Sequence, residues 1–412
     1  MPMSLLAWAL SLVVGALLLP RLYSFIELGI QRIAWPWQLD FVEGINLNAT
    51  LQLAGGHNIY RHNGPDGFLS APYPPLYHVI TAPISWLTGP SLMPGRIITF
   101  LSTIAIAFLL ALIVWRATRL WAPAILSGAL WLSLGPTIVW SAFYKQDITA
   151  MMLDLAGLAV IASNPQGRRL YWGVLLFALA FYTKQSAIAA AAATGVWLLI
   201  RDWRAGLRFG ITLGGAVLVP FGIGNALTGG GLWEHLVGYH SLPHSERRFW
   251  RHVDRLLAEF WPLLVLAVVS LVSALVILVR SKAGSLRERL GSVWTPVLLY
   301  ALFAWTSSIT KLGYEGANYN HLLDGLLPTC LLAGMTLAAL WRSLGQGARR
   351  PRLLGTAGLL MSGILVVTQA AIMSGPQSWY LGGWPSAQRD REMRGLSDLI
   401  ARTPGDMYSE DS

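Results

Sequence analysis

Long apolar stretches, separated by short polar connections, run along almost the whole chain. A helix needs about 20 apolar residues to cross the hydrocarbon core of a bilayer, because each residue rises only 1.5 Å. The pattern therefore predicts an all-α polytopic membrane protein, a bundle of about eleven helices. The predicted spans are 4–29, 97–115, 121–141, 147–163, 170–183, 186–200, 209–227, 256–280, 292–310, 319–341 and 353–373.

Two places depart from this simple pattern. The run 76–90 is apolar but short and contains Pro83, so we expect an interfacial or re-entrant helix there. Two short runs within 170–200 are joined by Thr183-Lys184-Gln185-Ser186. Polar backbone at membrane depth must face protein or water. Asp154, inside a predicted span, is expected to pair with a neighbouring helix.

Composition and charge placement support the membrane assignment. Of 412 residues, 54% are hydrophobic and 12% are charged, against roughly 25% charged in soluble proteins. The formal net charge of +10 would suit a nucleic-acid-binding protein, but the basic residues cluster in short connections, as they do in cytoplasmic loops. These residues are Arg116, Arg119, Arg168, Arg169, Arg201, Arg204, Arg208, Arg280, Lys282, Arg287, Arg289, Arg342, Arg349, Arg350 and Arg352.

The same charges predict the topology of a plasma-membrane protein. With the basic loops inside the cell, eleven spans place the N-terminus in the cytoplasm and the tail 374–412 outside. The membrane domain is then 1–373, with a long first external loop at 30–96 that contains juxtamembrane helices, and a second large external loop at 228–255. All eight histidines lie in or beside external segments, so chemistry is expected on the non-cytoplasmic face.

Two acids follow the first predicted span, in Trp37-Gln38-Leu39-Asp40-Phe41-Val42-Glu43-Gly44. At i and i+3 of a helix, Asp40 and Glu43 would share one face. A carboxylate pair near the membrane surface suits a general base that deprotonates an acceptor, with a second acid to orient it or to hold a cation. Acids are also favoured in the first turn of any helix, so a structural role is the alternative.

Two Lys-Gln pairs stand at the outer ends of predicted spans, in Tyr144-Lys145-Gln146-Asp147 and Tyr182-Thr183-Lys184-Gln185. An ionisable group at membrane depth is costly, and is by default functional or paired. A lysine there can bind a phosphate at the level of the lipid headgroups. The alternative is a lysine that simply reaches the interface from a helix end.

Two further external segments carry polar and aromatic side chains. The first can bind sugar hydroxyls or phosphate, or can be an ordinary start of a span; it holds Lys311, Glu315, Asn318, Tyr319, Asn320 and His321. The second can bind phosphate through arginine or form an interfacial aromatic belt; it holds Trp233, His235, Tyr239, His240, His244, Glu246, Arg247, Arg248, Trp250 and Arg251. The histidine spacing fits no zinc pattern. No cofactor is indicated, and participation of a divalent metal is left open.

In order and sidedness, these features resemble the GT-C superfamily of membrane glycosyltransferases. The similarity is to its bacterial, glycosyltransferase 39-like branch, related to protein mannosyltransferases and aminoarabinose transferases. It covers residues 1–200 well and the rest loosely. It rests on the acidic pair Asp40 and Glu43, Tyr73-Pro74-Pro75-Leu76 opening a juxtamembrane helix, Gly89 and Arg96 before the next span, and the external Lys145-Gln146-Asp147 and Lys184-Gln185.

The resemblance implies a polyprenyl-phosphate sugar donor and an inverting transfer at the outer face to a lipid, glycan or protein acceptor. Asp40 is then the candidate base with Glu43 as its neighbour. Lys145 and Lys184 neutralise the donor phosphate, and Asp147 orients one of them or the acceptor. The other substrate-binding candidates are Gln146, Gln185, Tyr73, Asn320 and His321.

Two other functions fit part of the pattern. A transporter or flippase for a lipid-linked or anionic solute predicts polar residues across the membrane midplane, whereas here they crowd one face. A glycan ligase or polymerase shares the polytopic plan, but the acidic pair favours single-sugar transfer. Members of the superfamily commonly carry a soluble external C-terminal domain. The tail 374–412 is short by comparison, which truncation would explain.

Overall fold

The computed structural model describes residues 2–64, 68–240, 242–280, 290–292, 294–316, 318–344, 349–373 and 385–403. Within these ranges the chain is helical and forms no β-strand, which confirms the predicted all-α class. The α-helices in chain order are α1 Pro2–Ala34, α2 Phe41–Ala54, α3 Leu76–Thr88, α4 Met93–Thr118, α5 Trp121–Ser133, α6 Gly135–Trp140, α7 Asp147–Ser163, α8 Arg168–Thr183, α9 Ala189–Arg201, α10 Trp203–Leu227, α11 Gly231–Leu236, α12 Glu246–Arg280, α13 Trp294–Lys311, α14 Leu323–Leu344, α15 Arg349–Met373 and α16 Ala387–Arg402.

Five stretches of the described chain are long and apolar enough to cross a bilayer, judged by length and composition. They are Trp8–Ala34, Met93–Thr118, Trp203–Leu227, Glu246–Val276 and Tyr319–Leu344. Helices also occupy the other predicted spans, but they are shorter or less apolar. The count of eleven spans therefore stays a prediction, and so does the placement of the N-terminus in the cytoplasm.

The segment between α1 and α4 contains two short helices, as expected for the first external loop. The helix α3 begins directly after Pro74 and Pro75, because proline has the backbone φ of a helix start and needs no hydrogen-bond partner for its nitrogen. It ends at Gly89, whose φ of 68° is one that glycine adopts without strain. With 13 residues, α3 is about 20 Å long, too short to cross a hydrocarbon core of about 30 Å.

The helix α14 is the centre of the bundle. It packs against α4, α5, α12, α13 and α15, and Leu326, Leu327 and Leu331 are completely buried. Small residues let neighbouring helices approach closely where lipid gives no hydrophobic driving force. At Gly128 of α5, an added Cβ would lie 2.6 Å from the carbonyl oxygen of Ala107 in α4. These close contacts give a firm scaffold for the loops at one end of the bundle.

The junction between α8 and α9 breaks the helical path inside this scaffold. The first turn of α9 has backbone N–H groups without partners in its own helix. Asp154 of α7 accepts hydrogen bonds from two of them, Ala190 N at 2.9 Å and Ala191 N at 3.3 Å. This pairing with a neighbouring helix agrees with the expectation from the sequence, and it fixes the 183–188 junction beside α7.

Candidate active site

Asp40 lies between α1 and α2 and caps the N-terminus of α2. Its backbone is extended, and its Oδ1 accepts a hydrogen bond from Val42 N at 2.9 Å. The same oxygen lies 2.8 Å from Lys145 Nζ, and both side chains are largely buried. Asp40 thus precedes the helix instead of sharing a helical face with Glu43, because an aspartate cap satisfies an otherwise unpaired backbone N–H group.

Glu43, in the first turn of α2, is completely buried and paired with Arg96 of α4. The pair is bidentate, with Arg96 Nε 2.8 Å from Oε1 and Nη2 2.7 Å from Oε2. Each carboxylate oxygen also accepts a backbone N–H bond, from Tyr144 at 2.8 Å and from Leu39 at 2.7 Å. Both oxygens are therefore already engaged by protein groups.

The Glu43–Arg96 pair, here called the clamp, is completed by further hydrogen bonds from Arg96. Its guanidinium donates to the carbonyl oxygens of Arg32 at 2.7 Å, Trp37 at 2.8 Å, and Trp35. The clamp joins the end of α1, the start of α2, α4 and the segment before α7. It therefore fixes the positions of Asp40 and Lys145 relative to each other.

Lys145, Asp147 and Lys184 continue the cluster. Lys145 Nζ also lies 4.5 Å from the centre of the Trp140 ring, a distance suited to a cation–π contact. Asp147 opens α7, forms a salt bridge with Lys184, and accepts a hydrogen bond from Asn320 Nδ2 at 2.9 Å. Burial lowers the pKa of Lys184, but Asp147 outweighs it and holds the pKa above its ordinary value. Lys184 is therefore a cation at neutral pH.

A cavity of about 460 Å³ opens beside this cluster. Four of the predicted site residues line it: Tyr73, Lys184, Gln185 and His321. Burial raises the pKa of Tyr73 to about 12, so its phenol is a neutral hydrogen-bonding group. Lys145 and the acids Asp40 and Asp147 are not among the residues that line the cavity, so Lys184 is the member of the two ion pairs that borders it.

The two glutamines have protein partners. Gln146, buried at the start of α7, accepts a hydrogen bond from Asn46 at 3.0 Å. Gln185 Nε2 donates to the carbonyl oxygens of Pro72 at 3.1 Å and Leu236 at 3.3 Å. Gln185 therefore ties the α8–α9 junction to two of the predicted external loops, in addition to lining the cavity.

The sequence did not single out Trp140 or Asp324. Trp140 belongs to an apolar run, where a tryptophan carries no signal that it will lie under a lysine. Asp324 lies 3.3 Å from Lys311, which also lines the cavity. A basic and an acidic residue 13 positions apart on either side of a loop have no periodic relation, so only the fold brings them together.

The predicted second large external loop packs against the predicted first one. His235 Nδ1 accepts from Ala71 N at 3.1 Å, and Nε2 donates to the Arg61 carbonyl at 2.8 Å. Asn63 donates to the Tyr239 hydroxyl at 2.6 Å. His235 thus has a structural role. Among the described residues, no group of three or more His, Cys, Asp or Glu side chains is placed to hold a metal ion.

The same arrangement of helices occurs in solved membrane glycosyltransferases. ArnT from Cupriavidus metallidurans, bound to undecaprenyl phosphate, is 14% identical with a TM-score of 0.60; the match covers 97% of this chain and 80% of ArnT. The apo state of ArnT matches 89% of this chain and 75% of its own, at 14% identity and a TM-score of 0.56. This chain has the GT-C fold.

An oligosaccharyltransferase from Archaeoglobus fulgidus, solved in complex with Zn and sulfate, shares the GT-C fold. It is 12% identical, with a TM-score of 0.56, and the match covers 94% of this chain and 56% of that one. No family model matches the sequence, and no curated protein matches it by sequence. The resemblance drawn from residues 1–200 is therefore confirmed as a likeness of fold, and it extends over most of the chain.

Proposed function

We propose that this chain is an integral membrane glycosyltransferase. It transfers a sugar from a polyprenyl-phosphate-linked donor to a lipid, glycan or protein acceptor on the non-cytoplasmic face. One observation carries the proposal: Asp40 meets Lys145, and the adjoining pair of Asp147 and Lys184 stands beside a 460 Å³ cavity. The fold shared with ArnT bound to undecaprenyl phosphate supports a lipid-phosphate donor.

Asp40 is the base in this reaction. Its contacts with Val42 and Lys145 are both made by Oδ1, so Oδ2 is the oxygen that takes the proton from the acceptor hydroxyl. The acceptor oxygen then bonds to the anomeric carbon. The bond from that carbon to the donor phosphate oxygen breaks, and its electron pair leaves with the lipid phosphate. Attack opposite the leaving group inverts the anomeric centre.

Lys145 and Lys184 stabilise the charge that grows on the departing phosphate. Fixed cations aimed at developing charge lower a barrier because they need no reorganisation during the step. Asp147, held by Asn320, directs the Lys184 amine. Glu43 has both oxygens engaged by Arg96 and backbone N–H groups, so in this mechanism it is a positioning residue.

The test is turnover of the purified full chain in detergent with a panel of polyprenyl-phosphate sugars, measured as released polyprenyl phosphate. Asp40→Asn keeps a side chain that caps helices as well as aspartate does but removes the counter-charge of Lys145, so the free energy of unfolding of the variant is measured beside its turnover. Its turnover should fall about 100-fold or more, the usual contribution of a general base. Lys184→Ala should also lose turnover.

The control is Asp398→Asn, which removes one exposed acid from α16 and should leave turnover unchanged. Full activity in both site variants would contradict the assignment of Asp40 and Lys184. Movement of a lipid-linked solute across liposomes without sugar transfer would favour the transporter.

A further inference from the structure

The helix α12 begins with an arginine stripe, formed by Arg247, Arg251 and Arg255. The three residues follow at intervals of four, which places them on one face of the helix, and all three are exposed. Next to the stripe, Arg248 donates to the Tyr314 carbonyl at 3.3 Å and lies 3.8 Å from Glu315. Both of these residues line the cavity, so the stripe lies on the candidate-site side of the molecule.

Further along α12 the exposed surface becomes apolar, and it is turned partly away from the arginine face because Leu257 is only two residues beyond Arg255. It carries Leu257, Trp261, Val265 and Val268, all exposed. A helix whose exposed residues change from arginine to tryptophan to valine follows the order of media in a bilayer: headgroups, the interfacial layer that tryptophan prefers, and hydrocarbon. The exposed side of α12 therefore meets lipid along its length.

Helix geometry sets the depth of each arginine. If hydrocarbon begins near Leu257, then Arg255 lies about 3 Å and Arg251 about 9 Å above it along the axis, and Arg247 about 15 Å above. The headgroup layer occupies roughly 5–8 Å on each side of the core, and long basic side chains extend towards it from either direction. Arg255 and Arg251 are thus at the level of lipid phosphates.

Nearby acids balance only part of the charge of the arginine stripe. In the part of the chain that the structure describes, neither Arg247 nor Arg251 has a carboxylate within salt-bridge distance. Asp254 lies three residues after Arg251, and Glu259 lies four residues after Arg255 and attracts its charge. Arg255 lies 3.3 Å from the Tyr319 hydroxyl. The preference of basic residues for the cytoplasmic side explains Arg280 at the C-terminal end of α12. It does not explain the three arginines of the stripe at the N-terminal end.

We propose that the arginine stripe binds the phosphate headgroups of anionic lipids in the leaflet on the candidate-site side. Guanidinium groups pair with phosphate through two parallel hydrogen bonds. The proposal goes beyond sugar transfer and does not depend on it. A phosphate held at Arg251 and Arg255 lies next to Tyr319, whose neighbour Asn320 donates to Asp147, so anionic lipid is gathered at the edge of the candidate site.

The test compares retention of phosphatidylglycerol and phosphatidylcholine by the purified full chain, counted by native mass spectrometry over a lipid titration. The variant is Arg247→Gln/Arg251→Gln, which leaves Arg255 and its contact intact. Each basic residue near an anionic lipid surface raises the affinity of a protein for that surface about fivefold. The variant lacks two such residues, so it should bind phosphatidylglycerol about 25-fold more weakly. Phosphatidylcholine binding should not change.

The matched control is Arg391→Gln/Arg402→Gln, which removes two exposed arginines from α16 and the same total charge. It should keep wild-type retention of phosphatidylglycerol. Unchanged phosphatidylglycerol binding in the stripe variant would overturn the proposal. So would an equal loss in the α16 control, because it would make the effect one of net charge, or an equal loss of phosphatidylcholine.

Discussion

At the scale of single residues, a buried ion pair holds the candidate site together. Removing charges from water costs several kcal/mol per ion, which only close partners and further hydrogen bonds offset. Arg96 and Glu43 meet this condition because the guanidinium also binds backbone carbonyls and the carboxylate also binds backbone N–H groups. The pair therefore holds the loop that carries Asp40.

Glu43→Gln should destabilise the protein by about 3–5 kcal/mol, because it leaves the Arg96 charge buried without a counter-charge. The measurement is the free energy of unfolding in detergent, from a denaturant titration. Glu315→Gln is the control, since Glu315 is mostly exposed and 3.8 Å from Arg248; an exposed pair of this kind contributes at most about 1 kcal/mol. Equal effects in the two variants would contradict the structural role of Glu43.

The sequence predicted that Asp40, Glu43, Lys145 and Lys184 belong to one site, but not which of them pair. Asp40 and Glu43 are alike in type and close in sequence, and only their surroundings separate them. Arg96 lies 53 positions from Glu43, and no periodic pattern links the two. Which residues pair is therefore known only from the structure. The catalytic and phosphate-binding roles stay predictions.

At the scale of helices, the hydropathy pattern predicted the positions of the helices better than their ends. The predicted span 97–115 lies within Met93–Thr118, and 4–29 lies within Pro2–Ala34. Both helices extend beyond the apolar run because their ends meet protein: Arg32 and Arg96 are completely buried there. Likewise α12 begins at Glu246 and not at the predicted 256, since its first turns carry the arginine stripe. Hydropathy finds the lipid-facing part of a helix and misses polar ends.

The α8–α9 junction makes a prediction at this scale. Asp154→Ala removes the acceptor for two backbone N–H groups of α9, and each buried group left unpaired costs about 1–3 kcal/mol. Asp202→Ala removes the equivalent cap from α10, where Asp202 is half-buried and bonds Arg204 N at 3.1 Å. We expect the free energy of unfolding to fall more for Asp154→Ala. A smaller loss than in Asp202→Ala would contradict the capping role.

At the scale of the whole molecule, residues far apart in sequence form one candidate site because the bundle brings together the helix ends that carry them. Asp40 follows α1, Lys145 precedes α7, Lys184 follows α8 and Asn320 precedes α14. The order and charge bias of the sequence predicted that these ends share a face of the membrane. The distance of 2.8 Å between Asp40 and Lys145 depends on how α2, α4 and α7 pack, which no local pattern encodes.

We propose that the cluster of Asp40, Lys145, Asp147 and Lys184 binds the phosphate of a polyprenyl donor. The most direct measurement is an experimental structure of the full chain with polyprenyl phosphate bound. We expect a phosphate oxygen about 2.7–2.9 Å from the Nζ atom of Lys145 or Lys184, the distance of a charge-assisted hydrogen bond. A headgroup bound elsewhere, with the Asp40–Lys145 and Asp147–Lys184 pairs both undisturbed, would contradict a phosphate-binding role for the two lysines.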